Sequence, residues 1–217
     1  MLTPLVAILR EPGRRCDDED NSELHGALDG VLNGTRWKAT DDLEPSQFTL
    51  YDVASDTVSR IDKDSEQNTP RKLLNGKGHV QLCEPLLSSA HPSSTTAEQL
   101  PGKHLLAVWV GVRKGMEGAF VDWYEGEHMP MLKEVPGWLC GRLYSIVDDR
   151  SQGERPTESQ DVQFLAVHRF SKEGFMDSKE LKASQNTPWL TKVMEYITSK
   201  DLRLFELDVL YEGVGCQ

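Results

Sequence analysis

Positive charge is scarce in this chain. Lysine and arginine number 24 against 35 aspartates and glutamates, for a formal net charge of −11. That balance repels nucleic acid and anionic membrane surfaces unless a local basic patch exists. The pair Arg14-Arg15 does not make one, because Asp17, Asp18, Glu19 and Asp20 follow at once. Cysteine is also sparse: Cys16, Cys83, Cys140 and Cys216 are scattered, with no C-x-x-C and no histidine at zinc-clip spacing. Free thiols in a reducing compartment are the simplest reading, with no metal site. The N-terminal apolar run, Leu5 to Leu9, lacks a basic flank and is too short for a signal or a membrane span. The expectation is a cytoplasmic protein with neither a membrane nor a nucleic acid as partner. G-x-x-x-x-G-K-[ST], a strand-turn-helix G-x-G-x-x-G, G-x-S-x-G and H-E-x-x-H are all missing. Phosphate cradling, a serine elbow and a zinc-helix site are therefore not indicated.

What is present is an alternation of strand and helix signals. Leu5 to Arg10 reads as a strand buried on both faces. Ser22 to Val31 is a short helix candidate, Thr35 to Thr40 and Gln47 to Val53 are strands, Ser59 to Leu74 is a second helix, and Val80 to Cys83 a brief fourth strand. Residues 85–103, rich in Ser, Thr and Pro, read as a linker. The order then recurs. His104 to Val112 is a strand, a helix begins near Glu117, and Trp138 to Val147 and Val162 to Phe170 are strands around an exposed loop, Asp148 to Asp161. Phe175 to Leu181 is a short helix, Pro188 opens another that runs to about Ser199, and Leu202 to Tyr211 is the last strand.

Residue identities support a duplication. Leu5-Val6-Ala7 parallels Leu105-Leu106-Ala107, and His25 parallels His128. Gly34 and Trp37 parallel Gly141 and Tyr144. Gln47-Phe48 and Ser55 parallel Gln163-Phe164 and Ser171, and Gln67-Asn68-Thr69-Pro70 recurs as Gln185-Asn186-Thr187-Pro188. The expected division is a degenerate first repeat over 1–84, the linker, and a second repeat over 104–217.

The densest chemistry lies between Glu117 and Tyr144. Phe120, Tyr124 and His128 are spaced four apart and share one helix face, with Trp123 and Glu127 paired beside them. Pro130 is expected to end or kink this helix. The imidazole of His128 thus sits at a break, among Trp123, Tyr124 and Trp138, where proton transfer near neutral pH is easiest to build. A lone histidine near a helix end also serves as a cap or core residue, and aromatics at helical spacing also serve as core.

The motif F-x-x-W-Y-x-x-E-H-x-P, from Phe120 to Pro130, followed by V-P-G-W at Val135 to Trp138, resembles the EthD-like branch of the dimeric α/β-barrel superfamily. The similarity is greatest to the two-repeat versions of filamentous fungi, strong over 104–212 and weak over 1–84. It implies an α+β fold in which two ferredoxin-like βαββαβ repeats form an intramolecular barrel. Relatives include cofactor-free isomerases, polyketide cyclases, decarboxylases and small monooxygenases, and others have no assigned activity.

On this basis His128 is the expected acid/base, with Tyr124 and Glu127 completing the catalytic set. Tyr124 and Tyr144 would bind an oxygen that gains charge; Glu127 is either a salt-bridge or capping group or, in its functional reading, the orienter of the imidazole. Phe120, Trp123 and Trp138 would hold the flat surface of a small, enolisable aromatic or polyketide-like substrate. His168 either faces a shared cavity with Phe164, Ala166 and Phe170 or points at the covering helices. No cofactor is expected, and self-association into a homodimer stays open. A non-catalytic binding or stress-related barrel is the competing class: a cavity at His128 favours an enzyme, and one filled by Trp138 or Met131 favours a scaffold. A cofactor-free monooxygenase is the third.

Overall fold

The computed structural model describes residues 2–10, 30–57, 78–91, 101–151 and 161–212. His25, the expected helix at Ser59 to Leu74, the first QNTP copy and most of the Asp148 to Asp161 loop lie outside them, as does the expected helix at Ser22 to Val31 apart from its last two residues. The fold is α+β. The strands are β1 (Leu5–Arg10), β2 (Val31–Ala39), β3 (Gln47–Val53), β4 (Gly78–Ala90), β5 (His104–Arg113), β6 (Trp138–Ser151), β7 (Asp161–Phe170) and β8 (Ile197–Glu212). They hydrogen-bond in the order β1-β3-β2-β8-β5-β7-β6-β4, closed on itself. The ladders of β1 with β3 and β4, of β2 with β3 and β8, and of β7 with β5 and β6 are antiparallel. This is the arrangement expected of two ferredoxin-like repeats that share one barrel.

The chain divides into two compact units: Met1–Pro85, Ile146–Thr157 and Phe205–Gln217 in one, Leu86–Ser145 and Glu158–Leu204 in the other. In the first, β1 lies between β3 and β4, and Leu5 to Leu9 are all buried, so its apolar run needs no polar face. Val6, Ile8, Tyr51, Val53, Val80 and Leu82 form a buried cluster there. Arg36 on β2 pairs with Asp208 on β8 at 2.6 Å. Cys83 is a buried free thiol, and its pKa is raised by loss of hydration and by Asp149.

In the second unit β7 lies between β5 and β6. Phe164, Ala166 and Phe170 of β7 join Leu106 and Val110 of β5 in a core with the aromatic helix residues Phe120, Trp123 and Tyr124. The covering segments are α1 (Glu117–Trp123), a π turn (Tyr124–His128), α2 (Met129–Lys133), α3 (Lys179–Ser184) and α4 (Pro188–Val193). Ser178 caps α3 by accepting from the Leu181 N–H, and Thr187 caps α4 by accepting from the Leu190 N–H. Pro188 occupies the first turn of α4, where its missing donor costs nothing.

Several expectations are corrected by the hydrogen bonding. Residues 85–90, assigned to the linker, continue β4. The last helix stops at Val193, and β8 starts at Ile197, ahead of the expected Leu202. Pro130 does not end the helix. The Met129 N–H reaches the Tyr124 carbonyl, a slip to i→i+5, so Pro130 falls in the first turn of α2, where no donor is required. Trp109 on β5 is half-buried.

The repeats correspond through their ladders, with one change of register. Leu5 stands opposite Asp52 and Leu105 opposite Arg169; Gly34 stands opposite Tyr51 and Gly141 opposite His168. Both comparisons put Tyr51 at the station of His168. The Gln47-Phe48 match to Gln163-Phe164 is therefore one residue out of step, which would exchange the two faces of the strand.

Candidate active site

A pocket of about 70 Å³ lies in the second unit between helices and sheet. Phe120, Trp123, Tyr124 and His128 line it from α1 and the π turn, and Ala166 and His168 line it from β7. The stripe of aromatics spaced by four thus faces the same space as the imidazole on β7. That face of β7 is the helix-covered one. Trp138 and Met131 do not fill the pocket.

His168 is 1% exposed and fixed at both nitrogens. The Trp138 indole N–H donates to Nδ1 at 3.3 Å. An indole nitrogen only donates, so Nδ1 carries a lone pair and the proton of the neutral ring sits on Nε2. Nε2 lies 2.5 Å from the Tyr124 hydroxyl oxygen, which therefore accepts from it. The phenolic proton of Tyr124 is left to donate into the pocket. Burial raises the Tyr124 pKa, so it stays protonated at any working pH. Burial, and then the neighbouring His128, lowers the His168 pKa to about 3.

Space for this imidazole depends on Gly141. A Cβ at that position would fall 2.8 Å from His168 Cε1 and 3.1 Å from Met129 Sδ, closer still to Nδ1. In the sequence Gly141 stands out only as half of a repeat match with Gly34. Its role depends on the cross-strand partner, 27 residues further along, which no local pattern reveals.

His128 stacks on Trp123 with ring centroids 4.6 Å apart and meets Tyr124 edge-on at 5.0 Å. Its Nδ1 is buried without a hydrogen-bond partner among the described residues. The ring also bonds the Ser184 backbone. In the tautomer with the ring proton on Nε2, Nδ1 presents its lone pair. Burial first, then the Lys200 charge, holds the His128 pKa at about 4, against a smaller upward effect of the Ser184 bond. Both imidazoles are neutral near pH 7.

The remaining expected residues are placed differently. Glu127 takes the Trp123 indole N–H at 3.1 Å and the Thr187 hydroxyl at 2.5 Å. It ties the π turn to the start of α4, and its hydrogen bonds do not reach the His128 ring. Trp138 stands behind His168, outside the lining, with its indole on Nδ1. Tyr144 is opposite Leu165, on the face of β7 turned away from His168, and accepts from Arg142 at 3.3 Å. Sequence reasoning missed Leu181, Gln185, Leu190, Met194 and Lys200, which complete the pocket from α3, the turn that follows it, α4 and β8. Among the described residues no group of three or more His, Cys, Asp or Glu is arranged to hold a metal ion, and no helix is long and apolar enough to cross a membrane.

The depressed histidines make stability depend on pH. Each is neutral when folded and has an unfolded pKa near 6.5, so the unfolded chain binds more protons as pH falls below that value. The contribution is fully present above about pH 6.5 and is lost as pH drops toward the folded values of about 4 and 3. The urea midpoint of the wild-type protein is expected to fall between pH 6.5 and 4, and His168→Gln to flatten that slope. An unchanged slope in the variant would contradict the assignment.

The sequence matches no protein-family model and no curated protein. The fold, by contrast, is shared with solved structures over nearly the whole chain. An anthrone oxidase-like protein superposes with a TM-score of 0.64 at 9% identity, covering 98% of this chain and 94% of that one. A putative monooxygenase from Lactobacillus acidophilus gives 0.55 at 12% identity, with 97% of each chain covered. A putative monooxygenase from Fusobacterium nucleatum gives 0.56 at 10% identity, with 97% and 95% covered. At these identities the likeness establishes the fold.

Proposed function

We propose that this protein is a cofactor-independent acid/base enzyme of the EthD-like, fungal two-repeat type, acting on a small enolisable aromatic or polyketide-like molecule. The observation that carries the reading is the buried, unpartnered Nδ1 of His128 on a pocket where Tyr124 presents an oriented hydroxyl. His128 Nδ1 takes a proton from the carbon beside a carbonyl. The C–H electron pair moves into the new C=C bond, and the carbonyl pair moves onto oxygen. Tyr124 donates to that oxygen, and His168, held by Trp138, keeps Tyr124 in place. Return of the proton to a different carbon gives isomerisation, attack of the enolate on a second carbonyl gives cyclisation, and protonation after loss of carbon dioxide completes decarboxylation. A preorganised donor at the developing charge and a positioned base are the two largest contributions such a site supplies.

Cofactor-free monooxygenation is the second reading, favoured by the shared fold with the anthrone oxidase-like protein and the monooxygenase-like structures. It starts with the same deprotonation. The test is incubation of the protein with one-ring ketones and keto acids in D₂O, with NMR detection of deuterium at the carbon beside the carbonyl and an oxygen electrode in parallel. Enzyme-dependent exchange without oxygen uptake is expected. Exchange with stoichiometric oxygen uptake would move the assignment to the monooxygenase, and no exchange across the panel would favour a non-catalytic barrel.

A further inference from the structure

Lys200 is the odd residue of the pocket. The other lining side chains are apolar, aromatic or neutral, including the two histidines, and Gln185 adds an amide. Lys200 sits near the start of β8 with an exposed side chain, so it belongs to the solvent end of the pocket. Among the described residues no carboxylate is ion-paired with Lys200, so its charge is available to a ligand. An ammonium at the rim of an apolar pocket attracts anions more strongly than one surrounded by water.

We propose that the pocket selects substrates carrying a carboxylate, which Lys200 holds at the mouth while the uncharged ring or ketone enters between Trp123, Tyr124 and His168. This rests on the acid/base reading for the role of the buried end, and adds the charge class of the substrate. The size agrees: about 70 Å³ takes a small planar group, leaving a polar substituent at the opening. Pairing Lys200 with a carboxylate also offsets the charge that depresses His128, so the bound substrate makes its own base stronger.

The test compares benzoate with benzamide, which share size and shape and differ in charge. Binding is followed by calorimetry and by amide NMR shifts of the full-length protein. Wild type is expected to bind benzoate about tenfold more tightly than benzamide, with the preference shrinking at high salt. Lys200→Met should abolish the preference, Lys200→Arg should keep it, and His128→Gln should keep it too. Equal binding of acid and amide by wild type, or an undiminished preference in Lys200→Met, overturns the proposal. These arms need no turnover. A charge preference without deuterium exchange defeats the acid/base reading alone, and exchange without a charge preference defeats the Lys200 assignment alone.

Discussion

His128→Gln is expected to lower the rate of carbon-deuterium exchange, or of turnover on an identified substrate, by about two to four decades while the protein stays folded. Glutamine keeps much of the size of the ring and can still donate to the Ser184 carbonyl. It offers no titratable base where Nδ1 now presents a buried lone pair. Its loss also removes the stacking partner of Trp123, so circular dichroism and the urea midpoint accompany the rate measurement. Stability should change modestly, because the imidazole is depressed by burial and contributes no ion pair. His25→Gln serves as the comparison. His25 stands between Leu24 and Gly26 with no aromatic wall in sequence, and its change should cost far less. Wild-type exchange rates in a folded His128→Gln protein would place the base elsewhere.

Gly141→Ala is expected to damage both the stability of the second unit and the geometry of the pocket. The added methyl would overlap the His168 ring and press on Met129, and β6 is held against β7 by the ladder through Gly141 and His168. Something must move, and overpacking of this kind costs about 1–3 kcal/mol. The side chain with most to lose is His168, whose displacement breaks the Trp138 and Tyr124 hydrogen bonds together. Two readouts separate these effects. The urea midpoint reports the strain, and the ¹⁵N shifts of the His168 ring report its tautomer. Removing the ring as well, in Gly141→Ala with His168→Ala, should recover part of the lost stability relative to the sum of the single changes, a coupling of about 0.5–3 kcal/mol. Strict additivity, or a His168 tautomer unchanged in Gly141→Ala, would count against the close fit.

Some of the site was readable because its cause is local. The four-residue spacing of Phe120, Tyr124 and His128 places all three on one face, and the wider π turn keeps Tyr124 and His128 on the pocket side. Thr187-Pro188 announces a helix start through a hydroxyl cap and a fixed φ, and α4 begins there. The π turn itself was not readable as such. Pro130 signals that an α-helical donor is lost, and the chain could answer by ending, kinking or slipping register. In the folded chain it slips, with the Met129 N–H on the Tyr124 carbonyl.

Short apolar runs between turn residues were enough to predict β1, β3, β5 and β7 as strands, and the repeated order of elements together with the family resemblance predicted one barrel from two copies. Register was not within reach of the sequence. A period of two looks the same after a slip of one residue, except that inside and outside exchange. The ladders of β1 with β3 and of β5 with β7 decided it, setting Tyr51 at the station of His168 and turning Tyr144 away from the pocket. Partners far apart in the chain were decided in the same way. Trp138 fixes the tautomer of His168 from 30 residues away, and Glu127 reaches Thr187 across 60. Lys200 enters the lining on a strand whose start the helix pattern had hidden. Local periodicity determines which residues share a face of one element. Which faces meet depends on hydrogen bonds and packing between elements, and these exist only once the chain has closed on itself.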